Sequence, residues 1–266
     1  MTFDEYILNP MGKNNAVLSA LTRETIRKDY SHRFDNILLR ENGKIEYYLY
    51  HDEKTNAYYA HIKVPSEVVK DFYYDTIIKF YRDASLGIKE ESNLFKYQAQ
   101  FFSNDPAFVY TYAYVFRKHN LFIPELASKM SREALKEAAK EKNPGENVGY
   151  VKSLYFAYLV MENRGLNKLN RFNAESEPLM ASNFLATIMD ADEKIEIRQR
   201  EGAKVSKRKK IRIDDKTLKN IQRQAGENST FDRLEVKSTK KVKNIQSKNA
   251  SKNTKKTGKT RIVKKK

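Results

Sequence analysis

A chain of 266 residues with no cysteine and a formal net charge of +17 excludes structural disulfides, thiolate metal sites and cysteine redox chemistry. The charge is confined to one end: residues 201–266 carry 23 Lys+Arg against 6 Asp+Glu, while residues 1–200 carry 28 of each. Aromatic residues divide the other way, with 30 of the 31 Phe and Tyr before residue 201, so the composition predicts a globular body over 1–200 and a disordered Lys-rich tail over 201–266.

No apolar run approaches the ~18 residues of a membrane span, and Met1 to Asn15 lacks the basic-then-apolar pattern of a leader, so a soluble, non-secreted chain without a transmembrane segment is expected. Scarce Gly and Pro before residue 201 leave no linker between domains and predict one body. Asn9-Pro10-Met11-Gly12 is a turn cluster. Leu18 to Leu39 places Leu18, Leu21, Ile26, Tyr30, Phe34 and Ile37 at helical spacing, with Glu41-Asn42-Gly43 as the stop.

The period then changes to two. Lys44–Tyr50 and Ala57–Val64 flank a polar loop and read as an antiparallel hairpin, with Ile45, Tyr47 and Leu49 sharing a core face with Tyr58, Ala60, Ile62 and Val64. Pro65-Ser66-Glu67 reads as the start of a short helix, and Phe72–Tyr81 and Asn93–Phe102 extend the sheet to three or four strands. Asn104-Asp105-Pro106 supplies a helix start, so the aromatic-rich stretch Ala107–Phe116 reads as helix despite its alternation. Further helices are expected at Ser131–Lys142, at Tyr150–Arg164 ending on Gly165, and as a single last helix from about Ser182 that carries Phe184, Leu185, Ile188 and Ile195. The expected class is α+β, a small antiparallel sheet with a helical second half, followed by the basic tail.

Binding residues are legible mainly in that tail. Lys207, Arg208, Lys209, Lys210 and Arg212 form one dense block, and Lys240, Lys241, Lys243, Lys255, Lys256, Lys264, Lys265 and Lys266 belong to a second, diluted one. Such a segment meets phosphates through counterion release, so nucleic acid or an acidic protein is the expected partner, with protein neighbours for the body. Phe231 and Leu234 are an apolar pair able to anchor a short docking helix. On the outer face of the hairpin, Tyr48, Tyr50 and Tyr59, with His61 and Lys63, form either a base-stacking platform or a face covered by helices.

Asp52, His61 and Lys63 sketch the hairpin of a metal-dependent nuclease, although His61 stands where that pattern has a carboxylate. The acidic cluster Asp190, Asp192 and Glu193 lacks the glycine of a calcium loop and reads as a solvated helix face. Neither a metalloprotease, nor a phosphate-loop, nor a nucleophile-elbow motif occurs, so no catalytic residue, metal site or cofactor is assigned.

Tyr6-Ile7-Leu8-Asn9-Pro10-Met11-Gly12-Lys13 and Phe101-Phe102-Ser103-Asn104-Asp105-Pro106-Ala107-Phe108-Val109-Tyr110 resemble stretches of tailed-bacteriophage proteins. The resemblance covers mainly residues 1–165 and implies a protein made in the bacterial host cytoplasm and carried in the virion. The expectation is therefore a non-enzymatic virion or assembly protein whose body docks on protein neighbours. A free nucleic-acid-binding regulator or replication accessory protein is the alternative, and a metal-dependent nuclease the third reading.

Overall fold

The computed structural model describes residues 1–9, 16–82, 92–137, 139 and 142–209, with side chains as far as Ala203. It is an α+β fold in which one sheet has helices on both faces. Residues Met1–Ser206 make one compact unit.

Chain entry is fixed locally. Helix α1 (Phe3–Leu8) opens with a reciprocal capping box between Thr2 and Glu5, and Phe3, Tyr6 and Ile7 are buried. Helix α2 (Ala20–Arg40) starts on Ser19, whose side chain accepts from the Thr22 amide, and it ends where Asn42 and Gly43 take positive φ values of 52° and 71°. Strands β1 (Tyr47–Asp52), β2 (Ala57–Pro65), β3 (Tyr73–Tyr81) and β4 (Gln98–Ser103) form consecutive antiparallel pairs. A two-residue strand, β5 (Glu177–Pro178), adds in parallel to β1, so the order is β4-β3-β2-β1-β5. The sheet is therefore mixed, with more strands than the alternation indicates.

The register sets which side chains share a face. Leu49, Ala60, Ile78 and Phe101 lie in one row across four strands, on the face expected from the sequence. Phe3 and Tyr6 of α1 pack their rings against Phe101 at 5.5 and 5.1 Å, and Tyr58 meets Phe172 at 5.7 Å. Helix α4 (Lys152–Asn163) covers the same face, with Phe156 passing the contact outward to Phe34 of α2 at 5.5 Å, and it ends before Gly165 at φ 66°.

After β4, Asp105 accepts from the Ala107 amide at 3.3 Å, and the chain enters a wide π turn over Phe108–Tyr112 that continues as α3 (Ala113–Lys118). The aromatic alternation is thus helical. It brings the Phe108 and Phe116 rings to 5.2 Å while Tyr110 faces solvent. Helix α5 (Leu169–Glu175) leads into β5.

Four local expectations are corrected. Pro65–Glu67 makes no helix, because the Ser66 hydroxyl accepts from the Val68 and Val69 amides at 3.3 and 3.2 Å and closes a side-chain turn instead. Residues 131–137 form turns; a short helix without a broad apolar face gains too little packing to offset nucleation, and the rest of the expected helix lies partly outside the described residues. Residues 93–97 form a short 3₁₀ turn at Leu94–Lys96 ahead of β4, capped by Asn93. The single last helix is two, α6 (Ala181–Thr187) and α7 (Ala191–Lys209), because Ile188 turns into the core in an extended conformation. Helix α7 also runs past residue 200, where composition placed the end of the body.

A candidate functional site around Asp75

The second face of the sheet carries Tyr48 and Tyr50 on β1, Tyr59, His61 and Lys63 on β2, and Asp75, Ile77 and Lys79 on β3. It is covered. Phe184 of α6 lies 5.2 Å from the Tyr50 ring, 5.5 Å from Tyr59 and 6.4 Å from His61. Glu125, in the 3₁₀ helix Pro124–Lys129, binds Lys79 and accepts from the Tyr59 hydroxyl at 3.4 Å. Tyr59 is consequently buried and Tyr50 half-buried, and Tyr48 remains 44% exposed. The three tyrosines share a face as the alternation requires, but a ring enclosed like that of Tyr59 offers no surface to a base.

At the centre of this face Asp75 accepts from four directions. His61 Nε2 and Lys63 Nζ reach Oδ1 at 2.9 and 2.5 Å, while Asn104 Nδ2 and the Met189 amide reach Oδ2 at 2.8 and 3.4 Å. Asn104 is itself fixed, since its Oδ1 accepts from the Asp75 amide at 2.8 Å and its Nδ2 also donates to the Met189 carbonyl at 3.2 Å. Strand pairing puts Lys63 opposite Asp75, and Asn104 follows β4 directly. Met189 lies in the α6–α7 break. One carboxylate therefore ties two strands, the end of β4 and the start of the C-terminal helix.

The electrostatics follow from this geometry. Burial alone would raise the Asp75 pKa, but the hydrogen bonds and charge of His61 and Lys63 hold its carboxyl well below the usual carboxylate range. The His61 imidazole is pulled below its ordinary value by desolvation, with Asp75 opposing. Its Nε2 carries the proton given to Asp75, and its Nδ1 is enclosed with no partner. Burial also lowers the Lys194 pKa, and the Asp75 charge works against that. Both His61 and Asp75 are at 0% exposure, so this His–Asp pair lies inside the body, out of contact with solvent.

The nuclease sketch is not assembled. Asp52 lies at the hairpin turn opposite Ala57, where it accepts from the Thr55 hydroxyl and the Lys54 amide, whereas His61 pairs with Tyr48 further along. The separation along β2 is roughly 13 Å at the usual rise per residue. Among the described residues no group of three His, Asp or Glu is placed to hold a metal ion. Asp192 and Glu193 are exposed in the first turn of α7, where negative charge complements the helix dipole, and Asp190 pairs with Lys129 at 3.2 Å.

Of the tail residues, Lys207, Arg208 and Lys209 fall in the last turn of α7. Lys210, Arg212, Lys240, Lys241, Lys243, Lys255, Lys256, Lys264, Lys265 and Lys266, as well as Phe231 and Leu234, lie outside the described residues. Among the described residues no helix is long and apolar enough to cross a membrane. Asp75 and Asn104 were missed in the sequence; the signal available was a lone Asp in the apolar strand Tyr73–Tyr81. Comparison with family models, curated proteins and solved structures finds no match.

Proposed function

We propose that the protein is a non-enzymatic tether, acting in a tailed-phage particle or its assembly, whose body docks on protein neighbours and whose basic C-terminal segment engages DNA or an acidic partner. The observation that carries this reading is the partition of charge: 23 cations against 6 acids after residue 200, following a body with 28 of each. Helix α7 supports it, because a stem pinned to a folded body is what a tether needs, and its last turn already carries Lys207, Arg208 and Lys209. The enclosed His–Asp pair supports a cohesive role for the body.

The test is duplex-DNA binding by fluorescence anisotropy across a salt series, for the full chain and for a chain ending at Ser206. The full chain is expected to bind with little sequence preference and to lose affinity steeply with salt, by ~10³–10⁵ between 50 and 200 mM if ~6–10 charges engage. The shortened chain is expected not to bind. Tight binding by the shortened chain would move the interface to the body and overturn the reading. Mass spectrometry of purified particles tests the setting, and a chain found only in the host cytoplasm is a free nucleic-acid-binding protein.

A further inference from the structure

Five tyrosines of α1, α2 and α4 and the turn before α4 form a chain of neighbouring rings that neither the Asp75 cluster nor the basic segment uses. Between ring centroids, Tyr6 lies 6.3 Å from Tyr150, Tyr150 lies 5.5 Å from Tyr30 and 5.4 Å from Tyr155, and Tyr155 lies 6.0 Å from Tyr158. Tyr30 and Tyr155 are also 5.8 Å apart, which gives the middle of the chain a second link. Tyr6, Tyr150 and Tyr155 are buried, whereas Tyr30 and Tyr158 are partly open to solvent. With neither Trp nor Cys in the sequence, tyrosine is the side chain that gives up one electron most readily, and rings this close share the resulting hole.

An oxidised phenol is a strong acid, so the electron leaves easily only where a base stands ready for the proton. The five differ in this respect. The Tyr6 and Tyr30 hydroxyls donate to the Gly149 and Tyr150 carbonyls, which are not bases, and Tyr155 shares a hydrogen bond of 3.2 Å with the Ser31 hydroxyl. The Tyr150 hydroxyl is enclosed and feels the Arg27 cation. Tyr158 alone of the five donates to a carboxylate, Glu162 Oε1 at 2.9 Å, one turn further along α4. Burial and then Glu162 hold the Tyr158 phenol above its ordinary range, with Asp4 adding to this and Arg27 opposing, and the same negative charges favour a positive hole on its ring. Tyr47 and Tyr59, outside the chain of rings, also donate to carboxylates, those of Glu175 and Glu125. Each of them carries a cation over its ring, Arg164 at 5.1 Å and Lys79 at 5.4 Å, which opposes a hole there.

We propose that Tyr158 is a redox-active tyrosine on which a one-electron oxidation of the body settles, with Tyr6, Tyr30, Tyr150 and Tyr155 feeding it and Glu162 taking its proton. The electron passes to an external one-electron oxidant, a high-potential metal complex or an oxygen-centred radical. The Tyr158 O–H bond breaks, the proton moves along the hydrogen bond to Glu162, and a neutral phenoxyl radical remains. Two such radicals join by a ring C–C bond and the displaced ring hydrogens return to the oxygens, so a coupled pair has given up two electrons and two protons. Tyr158 is thereby a site of oxidative coupling, independent of the DNA-tether reading.

The test is flash oxidation of the full chain by tris(bipyridyl)ruthenium(III), generated with light and persulfate, with phenoxyl radicals read by electron paramagnetic resonance after freezing. Tyr158→Phe is expected to lose more than half of the signal. Tyr48→Phe and Tyr110→Phe, which delete rings exposed at 44% and 46%, are expected to keep it. Glu162→Gln is expected to match Tyr158→Phe in signal while its urea midpoint stays that of the unmutated chain, a separation that a merely structural role would not produce. Tyr155→Phe keeps the packing and removes one step of the chain of rings, so the signal should fall there as well. An unchanged signal in Tyr158→Phe, Glu162→Gln or Tyr155→Phe overturns the proposal, as does a loss that follows exposure and is largest in Tyr48→Phe or Tyr110→Phe.

Discussion

Replacing Asp75 by Ala removes one acceptor and strands four donors. Lys63 has a side chain 21% exposed and can turn to water, so its share is small. His61 and Asn104 are at 0% exposure and cannot, and each buried donor left unpaired costs ~1–3 kcal/mol. The Met189 amide adds a smaller loss through its longer bond of 3.4 Å. The sum is about 3–5 kcal/mol, the range for breaking a buried ionic cluster from one side. For a domain of roughly 200 residues each kcal/mol moves the melting temperature by ~2–4 °C, so a fall of roughly 6–20 °C is expected by circular dichroism at pH 7.5. His61→Phe supplies the control, since a phenyl ring there meets Tyr48 and Phe184 and leaves no donor to strand. The double variant should lose about 1–2 kcal/mol less than the sum of the singles. A fall below about 2 °C in Asp75→Ala, or strict additivity in the cycle, would refute the assignment of Asp75 as the tie between the layers.

Acid should weaken the body in two stages. His61 is held below its ordinary pKa, so the unfolded chain takes the proton first; the stability it contributes is present above pH ~6.5 and declines below it by at most ~1.4 kcal/mol per unit. Asp75, also depressed, adds a loss that begins only below pH ~3.9, and urea melts showing the same decline from pH 7.5 to 5.5 in His61→Phe would contradict the first stage. Tyr6→Phe deletes a hydroxyl that donates to the Gly149 carbonyl and accepts from the Val151 amide, both at 2.9 Å, and should cost ~2 kcal/mol or more in denaturant midpoints. Gly149→Ala would place a methyl 2.3 Å from the Tyr112 ring, so a loss of ~1–3 kcal/mol is expected, with relief from Tyr112→Ala as the check. Replacing Lys207, Arg208, Lys209 and Lys210 by Gln should lower the log–log salt slope of DNA binding by about 0.9 for every charge engaged; an unchanged slope would place the contacts elsewhere.

What could be read from the residues was whatever depends on neighbours in the chain. The hairpin register, the end of α2 at Asn42-Gly43 and the glycine stop after α4 all follow from local alternation and backbone preference. Long-range effects were illegible. Nothing in Glu177-Pro178 marks a strand, because the Leu179 amide bonding the His51 carbonyl at 2.8 Å is a tertiary event. The break between α6 and α7 was hidden for the same reason: Asn104, Asp75 and Met189 are far apart in sequence, and their hydrogen bonds hold a turn that Ile188 and Ala191 would accept as helix. The tyrosine face illustrates the limit from the other side. Alternation correctly placed Tyr48, Tyr50 and Tyr59 together, yet only the position of Phe184 decides which of them water reaches.

The attachment of α7 shows why its inward face is not simply apolar. Ala191 and Ile195 are buried in the main core and Ile197 packs on the small cluster of Val69, Phe72 and Tyr74, which is little apolar surface for a helix of 19 residues. Lys194 and Arg198, one turn apart, supply the rest. The Lys194 ammonium stacks over the Phe72 ring at 4.8 Å and feels the charge of Asp75, and Arg198 feels that of Asp105. Two cations at i and i+4 meeting two buried acids fix the rotation of the helix, because a shift of one residue turns it by about 100° and carries both cations away from their acids. Desolvation offsets much of the Coulomb attraction in such pairs, so their main effect is on register and less on strength.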